Sequence, residues 1–403
     1  MSYELKRYKL KDLIEVTRGQ SLSGDCYAKD GEKLRLTLAN FDYDNGGFKY
    51  DTQKDDLYYT GVVKPQCLLK EGDIITPLTE QTPGLLGSTA RIPESDKFIQ
   101  SGDVALVKCK EGLIDPSFCY YLLPSTQVKK QLAAGSQQTK IRHTSPDAIM
   151  DCIVDIPSID EQRKIGAFLD ALTKLINNKR EQIKMLEVCA RKLYNYWFIQ
   201  FEFPNEEGLA YKANGGTIIY NEQLKREFPE GWKTVIMEDL LDKVPSTKSF
   251  PSKLYKPDGE FAIIDQSPEY IIGYTDDRDN IIFKHPAIVF GDHSTNIKYV
   301  DFPFGRGADG TQIIYSKDSA ISQLYLYHYL KATPIPNPGY QRHFKYVKEM
   351  IVPVPPKDIV DKFTVKMTAI YDMIKQNTFE IKQLRKLYSY MTPLLMAGQV
   401  SLK

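Results

Sequence analysis

The sequence predicts an α+β protein with a pseudo-two-fold internal repeat: two similar globular domains of mixed, β-rich structure, joined by two long helices packed as an antiparallel coiled coil. Three observations lead there. Ile165, Leu169, Leu172, Ile176, Lys179, Ile183, Leu186, Ala190, Leu193 and Trp197 alternate steps of four and three residues, which is a heptad seam. The same frame returns half a chain later in Phe363, Met367, Ile370, Ile374, Asn377, Ile381, Leu384, Tyr388, Met391 and Leu395, and the one plainly polar position, Lys179 or Asn377, falls at the same place in both. The segments ahead of the two seams also run in the same order, and a repeat of that size is the strongest signal in the chain.

The first domain is expected over 1–155. Tyr8-Lys9 and Asp12-Leu13-Ile14 open it as a short amphipathic piece, and Leu34–Leu38 alternates apolar with polar. The stretches 72–76 and 103–107 read as strands entered from turns. Asp115 followed by Pro116 has the form of an N-cap and first helical residue, so a helix follows through Leu123. A polar, basic loop comes next at 135–143, then a strand ending at Pro157, and the first long helix occupies the rest of 156–203.

The second domain, with a linker ahead of it, is expected over 204–352. The linker runs from Pro204 to Pro229 and holds a short strand at 217–220. Glu238-Asp239-Leu240 echoes Asp12-Leu13, strands follow at 261–264 and 287–292, and 320–330 repeats the helix at 118–123. The loop at 339–345 stands where 137–143 stood, and Ile351–Pro356 matches the earlier proline-ended strand. The second long helix fills 353–403.

Composition bounds the function. A chain of 403 residues with 42% hydrophobic and 26% charged residues holds about two ordinary cores, at roughly 150 residues each. No apolar run reaches the roughly 18 residues of a membrane span, and the start of the chain lacks a signal-peptide core. The six cysteines form no C-x-x-C pair and read as reduced thiols of a cytoplasmic protein. The five histidines have no ligand spacing, so no metal site is expected. Net charge is only +1, low for a protein that neutralises phosphates unaided. Basic residues gather on the first long helix, where a solvated coiled-coil face is the more usual explanation.

Geometry suggests a use for the repeat. A helix of about 40 residues is about 60 Å long, and an antiparallel pair would carry two similar heads on one rod. Such an object suits a two-part target, and duplex DNA repeats about every 34–36 Å. Lys179 and Asn377 sit near mid-seam, where antiparallel helices bring them together, and one polar position can set register at a cost in stability. A scaffold holding two ligand-binding domains for some other purpose has the same outline.

Three segments give the chain a family resemblance. They are Ile156-Pro157-Ser158-Ile159-Asp160-Glu161-Gln162-Arg163-Lys164-Ile165 with its helix, Pro229-Glu230-Gly231-Trp232, and Pro393-Leu394-Leu395-Met396-Ala397-Gly398-Gln399-Val400. Together with the domain order, they resemble the specificity subunit of type I restriction-modification systems over essentially the whole chain. The second proline turn departs from that pattern, since Asp358-Ile359-Val360-Asp361 lacks the Glu-Gln pair. The resemblance implies that each domain is a target-recognition domain reading half of a split double-stranded DNA sequence. The helices would set the gap and dock two adenine methyltransferase (M) subunits that use S-adenosylmethionine. Restriction/translocase (R) subunits using ATP and Mg would complete the enzyme. The chain itself would hold no cofactor and no catalytic residue.

The rival is a DNA adenine methyltransferase in its own right. Asn337-Pro338-Gly339-Tyr340 is one residue from N-P-P-Y, and Phe304-Gly305-Arg306-Gly307 has a glycine pair beside a Phe. A cofactor loop should follow a strand and open a helix, whereas 309–315 reads as a turn and a strand. No P-loop is present, and methyl transfer to DNA by the purified chain alone would favour the rival.

Base reading needs paired donors and acceptors, chiefly on Arg, Lys, Asn and Gln, while Ser, Thr and Lys hold phosphates. The loops before the proline turns supply Gln137, Gln138, Lys140, Arg142 and His143, and then Gln341, Arg342, His343 and Lys345. Glycine-flanked loops add Arg18, Gln20, Ser21, Thr89 and Arg91, and then His293, Ser294, Thr295, Lys298 and Arg306. Replacing Arg142 or Arg342 by Ala is expected to weaken specific binding with the fold intact.

Overall fold

The computed structural model describes residues 3–43, 46–50, 57–80, 84–135, 142–307, 310–336, 339 and 341–402. The chain divides into two compact units, Met1–Asn178 with Ile381–Lys403, and Lys179–Glu380. Both boundaries fall inside the long helices, which run over Ile159–Tyr194 and Lys357–Met396. Each unit therefore owns one head, the first part of one long helix and the last part of the other.

In the first unit, Lys6–Lys9 pairs antiparallel with Ile153–Ile156, the strand that ends at Pro157. An antiparallel sheet follows in the order Ile14–Arg18, Val104–Cys109, Ile74–Pro77, Ala90–Arg91. Its central strand shows why both faces are covered. Val104 and Leu106 enter one cluster with Leu36, Ile75 and Phe98. Ala105 and Val107 enter another with Phe118, Leu122 and Ile165. That is the two-residue alternation of a strand carried into two cores. Asp115 caps the helix Pro116–Leu122, its Oδ1 accepting from Phe118 N at 3.0 Å.

The second unit repeats this plan. Lys233–Ile236 pairs antiparallel with Ile351–Val354. Met237 N donates to Met350 O at 2.8 Å, as Leu10 N does to Cys152 O at 2.9 Å in the first unit. Two sheets follow, Gly273–Thr275, Phe261–Ile264, Phe304–Arg306, Ile281–Ile282 and then Ile297–Val300, Ala287–Gly291, Thr311–Ile314. The helix Gln323–Ala332 takes the place of Pro116–Leu122 and is capped by Ser322.

Within each unit the helices pair antiparallel. Ile165 and Leu169 share a core with Leu395 and Met396 in the first unit. In the second, Ala190, Tyr194 and Trp197 share one with Phe363 and Met367, and Lys179 meets Asn377, 198 residues away. All twenty seam positions named above are buried or half-buried.

Two expectations change. The segment 204–229 is more than a linker: Ile218–Asn221 forms a hairpin with Arg226–Pro229, and Phe203, Phe228 and Trp232 are buried together. Aromatic burial overrides its Gly- and Asn-rich composition. In 34–38 only Leu34–Arg35 is a strand, because a 3-10 turn starts at Leu38. The first long helix also closes with a π turn, Asn195–Ile199, whereas the second carries Pro393 near its end.

Candidate nucleic-acid interface

The motif residues prove to be joints between head and helix. Gln162, almost wholly buried, donates through Nε2 to Pro157 O at 2.9 Å and accepts from Asp115 N at 3.0 Å. It thus fastens the proline turn to the capped end of the head's helix. Gly166 lies beside that cap: a Cβ there would meet Ser117 Cβ at 2.8 Å and Phe118 N at 2.9 Å. In the second unit Val360 is buried and Thr364 Oγ1 donates to Ser322 Oγ at 2.7 Å, so a different contact closes the corresponding joint. Gly231, with φ of 82°, turns the chain so that Trp232 lies among Phe198, Phe201, Phe203 and Phe228.

A polar bolt adds to the first joint. Arg91 reaches Asp170 on the long helix through Nη1 at 2.7 Å and Nη2 at 3.3 Å, with Tyr121 Oη donating to the same carboxylate at 2.7 Å. Burial pushes the Asp170 carboxyl up, but bonds from Arg91, Ser117 and Tyr121 outweigh it and hold the group below its ordinary value. Arg91 also lies over the Tyr120 ring, 4.3 Å from its centroid.

The candidate base readers separate by what holds them. Gln137, Gln138 and Lys140 lie outside the described residues, as do Asn337, Pro338 and Tyr340. Five candidates are bonded within their own unit, Thr89, Lys298 and His343 buried and Arg91 and Arg306 half-buried. Thr89 is buried and donates to Tyr120 O at 2.8 Å, and Arg91 is the bolt just described. Lys298 donates to the carbonyls of Asp265, at 2.8 Å, and Glu269, with burial pushing its pKa down. Arg306 donates to Thr247 O at 2.8 Å. His343 is wholly buried and contacts Asp292 O through Nδ1 at 2.9 Å. In each case a carbonyl or carboxylate of the same unit takes the donor that sequence reasoning assigned to a base.

Gln20 uses both ends of its amide on the neighbouring loop, donating to Val62 O at 2.9 Å and accepting from Lys64 N at 2.7 Å. Ser294 donates to Gln266 O at 2.5 Å, and Thr295 to Ser294 O at 2.7 Å. Arg142 stands 3.6 Å from the buried Glu80 carboxylate, so truncating it disturbs an interior charge as well as any surface contact. Arg18, Ser21, His143, Arg342 and Lys345 are exposed, while Gln341 and His293 are half-exposed. Arg18 and Arg342 make no side-chain bond among the described residues.

The glycines of 304–307 do not form a cofactor loop. Phe304–Arg306 is a strand, parallel to Phe261–Ile264, and a Cβ on Gly305 would meet the Phe250 ring at 2.8 Å. Among the described residues no cluster of His, Cys, Asp and Glu could hold a metal, and no helix is long and apolar enough to cross a membrane.

Comparison with known proteins fits this geometry. Residues 3–187 match the type I restriction modification DNA specificity domain. The chain is 23% identical to the type I restriction enzyme MjaIX specificity subunit of Methanocaldococcus jannaschii, covering 97% of this chain and 92% of that one. It is 22% identical to the putative type I restriction enzyme MjaX specificity subunit of the same organism, over 98% and 93%. In fold it is similar to the type I restriction-modification S subunit from M. genitalium, at TM-score 0.59 and 15% identity over 98% and 96% of the two chains. Residues 3–187 thus carry the type I restriction modification DNA specificity domain, and nearly the whole chain is similar to type I restriction enzyme specificity subunits in sequence and to a solved S subunit in fold.

Proposed function

We propose that this chain is the DNA-recognising subunit of a type I restriction-modification system and that it reads a bipartite double-stranded target. Each head reads one half and the long helices set the gap. The observation that carries this reading is the repeated construction of the two units, in which one strand pair and one capped helix recur beside each long helix. A doubled reader on one chain matches a target in two parts. In the second head, base contacts come from Arg342, Lys345 and Gln341, with His293 and Ser294 beside them. In the first head they come from His143, Arg18 and Ser21, together with the stretch holding Gln137, Gln138 and Lys140.

The chain recognises, and the chemistry belongs to its partners. Two methyltransferase subunits supply S-adenosylmethionine-dependent adenine methylation, and restriction subunits supply ATP- and Mg-dependent translocation and cleavage. A net charge of +1 leaves little phosphate neutralisation to the chain alone, so the methyltransferase subunits complete the grip on DNA. Selection from a random DNA pool, with the methyltransferase present, tests the reading. A gapped motif is expected; no enrichment would favour a two-headed scaffold without a DNA role.

A further inference from the structure

Each head holds one almost fully buried carboxylate that gathers its candidate reading segments, and neither acid is part of any motif described above. In the first unit it is Glu80, whose Oε2 accepts from Leu85 N at 2.7 Å and from Leu86 N at 2.9 Å. Its Oε1 lies 3.6 Å from Arg142 Nη1, and the backbone of Thr79–Glu80 pairs with Arg142–His143. One carboxylate thus holds its own strand, the backbone at Leu85 and Leu86 and the segment carrying His143.

In the second unit it is Asp292, just past the strand Ala287–Gly291. Oδ1 accepts from Phe344 N at 2.9 Å, and Oδ2 takes Gln312 Nε2 at 3.4 Å. The Asp292 carbonyl accepts from His343 N at 2.8 Å and meets His343 Nδ1 at 2.9 Å. The held segments carry Arg342 and Lys345 on one side and His293 and Ser294 on the other. Both acids are about 2% exposed, so neither can touch DNA, yet each fixes residues that face solvent.

We propose that Glu80 and Asp292 are positioning residues for DNA recognition, each setting the geometry of its own half-site reader. This rests on the bipartite reading above. A buried carboxylate accepting several N–H bonds is a strong, directional anchor, and base readout tolerates little displacement of its donors. The amide of E80Q keeps the shape but sets a donor against Arg142 or the Leu85 and Leu86 N–H groups, and D292N replaces the charged acceptor of Phe344 N by a weaker neutral one.

The test is selection from a random DNA pool by the full chain with its methyltransferase, for wild type, E80Q and D292N, with thermal melting in parallel. E80Q is expected to lower base preference at least tenfold in one half of the motif, leaving the other half and the gap unchanged. D292N is expected to do the converse. Equal loss in both halves, or no change in either with a folded chain, overturns the proposal. Should an amide variant not fold, Glu80→Asp or Asp292→Glu, which keeps the charge and changes its reach, is judged by the same outcomes. A wild-type chain that enriches no gapped motif instead contradicts the bipartite reading itself.

Discussion

Lys179 Nζ donates to Asn377 Oδ1 at 3.0 Å, joining the two polar residues that interrupt otherwise apolar seams at matching positions. Lys179 also pairs with Glu380 at 2.5 Å. Asn377 is buried, so its amide needs the partner that antiparallel register supplies. A shift of one helix along the other would strand it. Replacing both residues by Leu is expected to stabilise the helix pair, raising Tm by about 2–4 °C for each kcal/mol gained. The same double variant should accept a wider range of gap lengths in its DNA target. Melting curves and selection on targets of varied gap check the two effects; a higher Tm with unchanged gap choice would leave the pair a tolerated polar contact.

The contact of Gly166 with the cap at Asp115 predicts a steric penalty. A Cβ would meet Asp115 Oδ1 at 3.0 Å and a backbone nitrogen at 2.9 Å, and backbone has little room to yield. Gly166→Val is expected to destabilise the first unit by about 1–3 kcal/mol. Thr364→Val, which removes the hydroxyl's contacts with Ser322 Oγ and Val360 O, should cost about 1 kcal/mol. Urea unfolding of both variants measures the difference.

His328 makes stability depend on pH. Burial, with Lys331 adding to it, pushes its pKa down to about 3, and its Nε2 lies 3.0 Å from Tyr371 Oη. An unfolded histidine titrates near 6.5, so between these values the unfolded chain binds the extra proton and stability falls as pH falls. The contribution is complete above about 6.5 and is lost progressively toward 3. His328→Gln should flatten the decline from pH 6.5 to 5, a range above most carboxylates, as read from urea midpoints.

Arg342 and Arg142 should behave differently. Arg342→Ala is expected to weaken specific binding by about 1–3 kcal/mol with Tm unchanged, since its side chain is exposed and unbonded among the described residues. Arg142→Ala should lower Tm as well, because it leaves the Glu80 charge with less compensation. Binding titrations and melting curves on both variants separate the roles.

What was legible in the sequence was periodic or local. The heptad frame, the Asp115-Pro116 cap and the proline-ended strands depend on neighbours a few residues away, and they stand where spacing put them. What was not legible depends on partners distant in sequence. Nothing near Arg91 announces Asp170, and nothing near Lys298 announces the carbonyls of Asp265 and Glu269, so a donor-rich residue type looked like a DNA contact. Gln162 had a signal, its place in the Glu-Gln motif, but its role as a joint needed the position of Asp115. Glu80 and Asp292 had no signal, because an acid among polar loop residues reads as a surface charge until its burial is known.

In the proposed role this chain chooses the DNA sequence its partners methylate. Sequencing the methylated adenines of the host genome with and without the gene for this chain tests it directly. One motif of two short specific halves, separated by a fixed unspecified gap, is expected to lose its methylation when the gene is removed. An unchanged methylation pattern, or loss of a single contiguous motif, would contradict it.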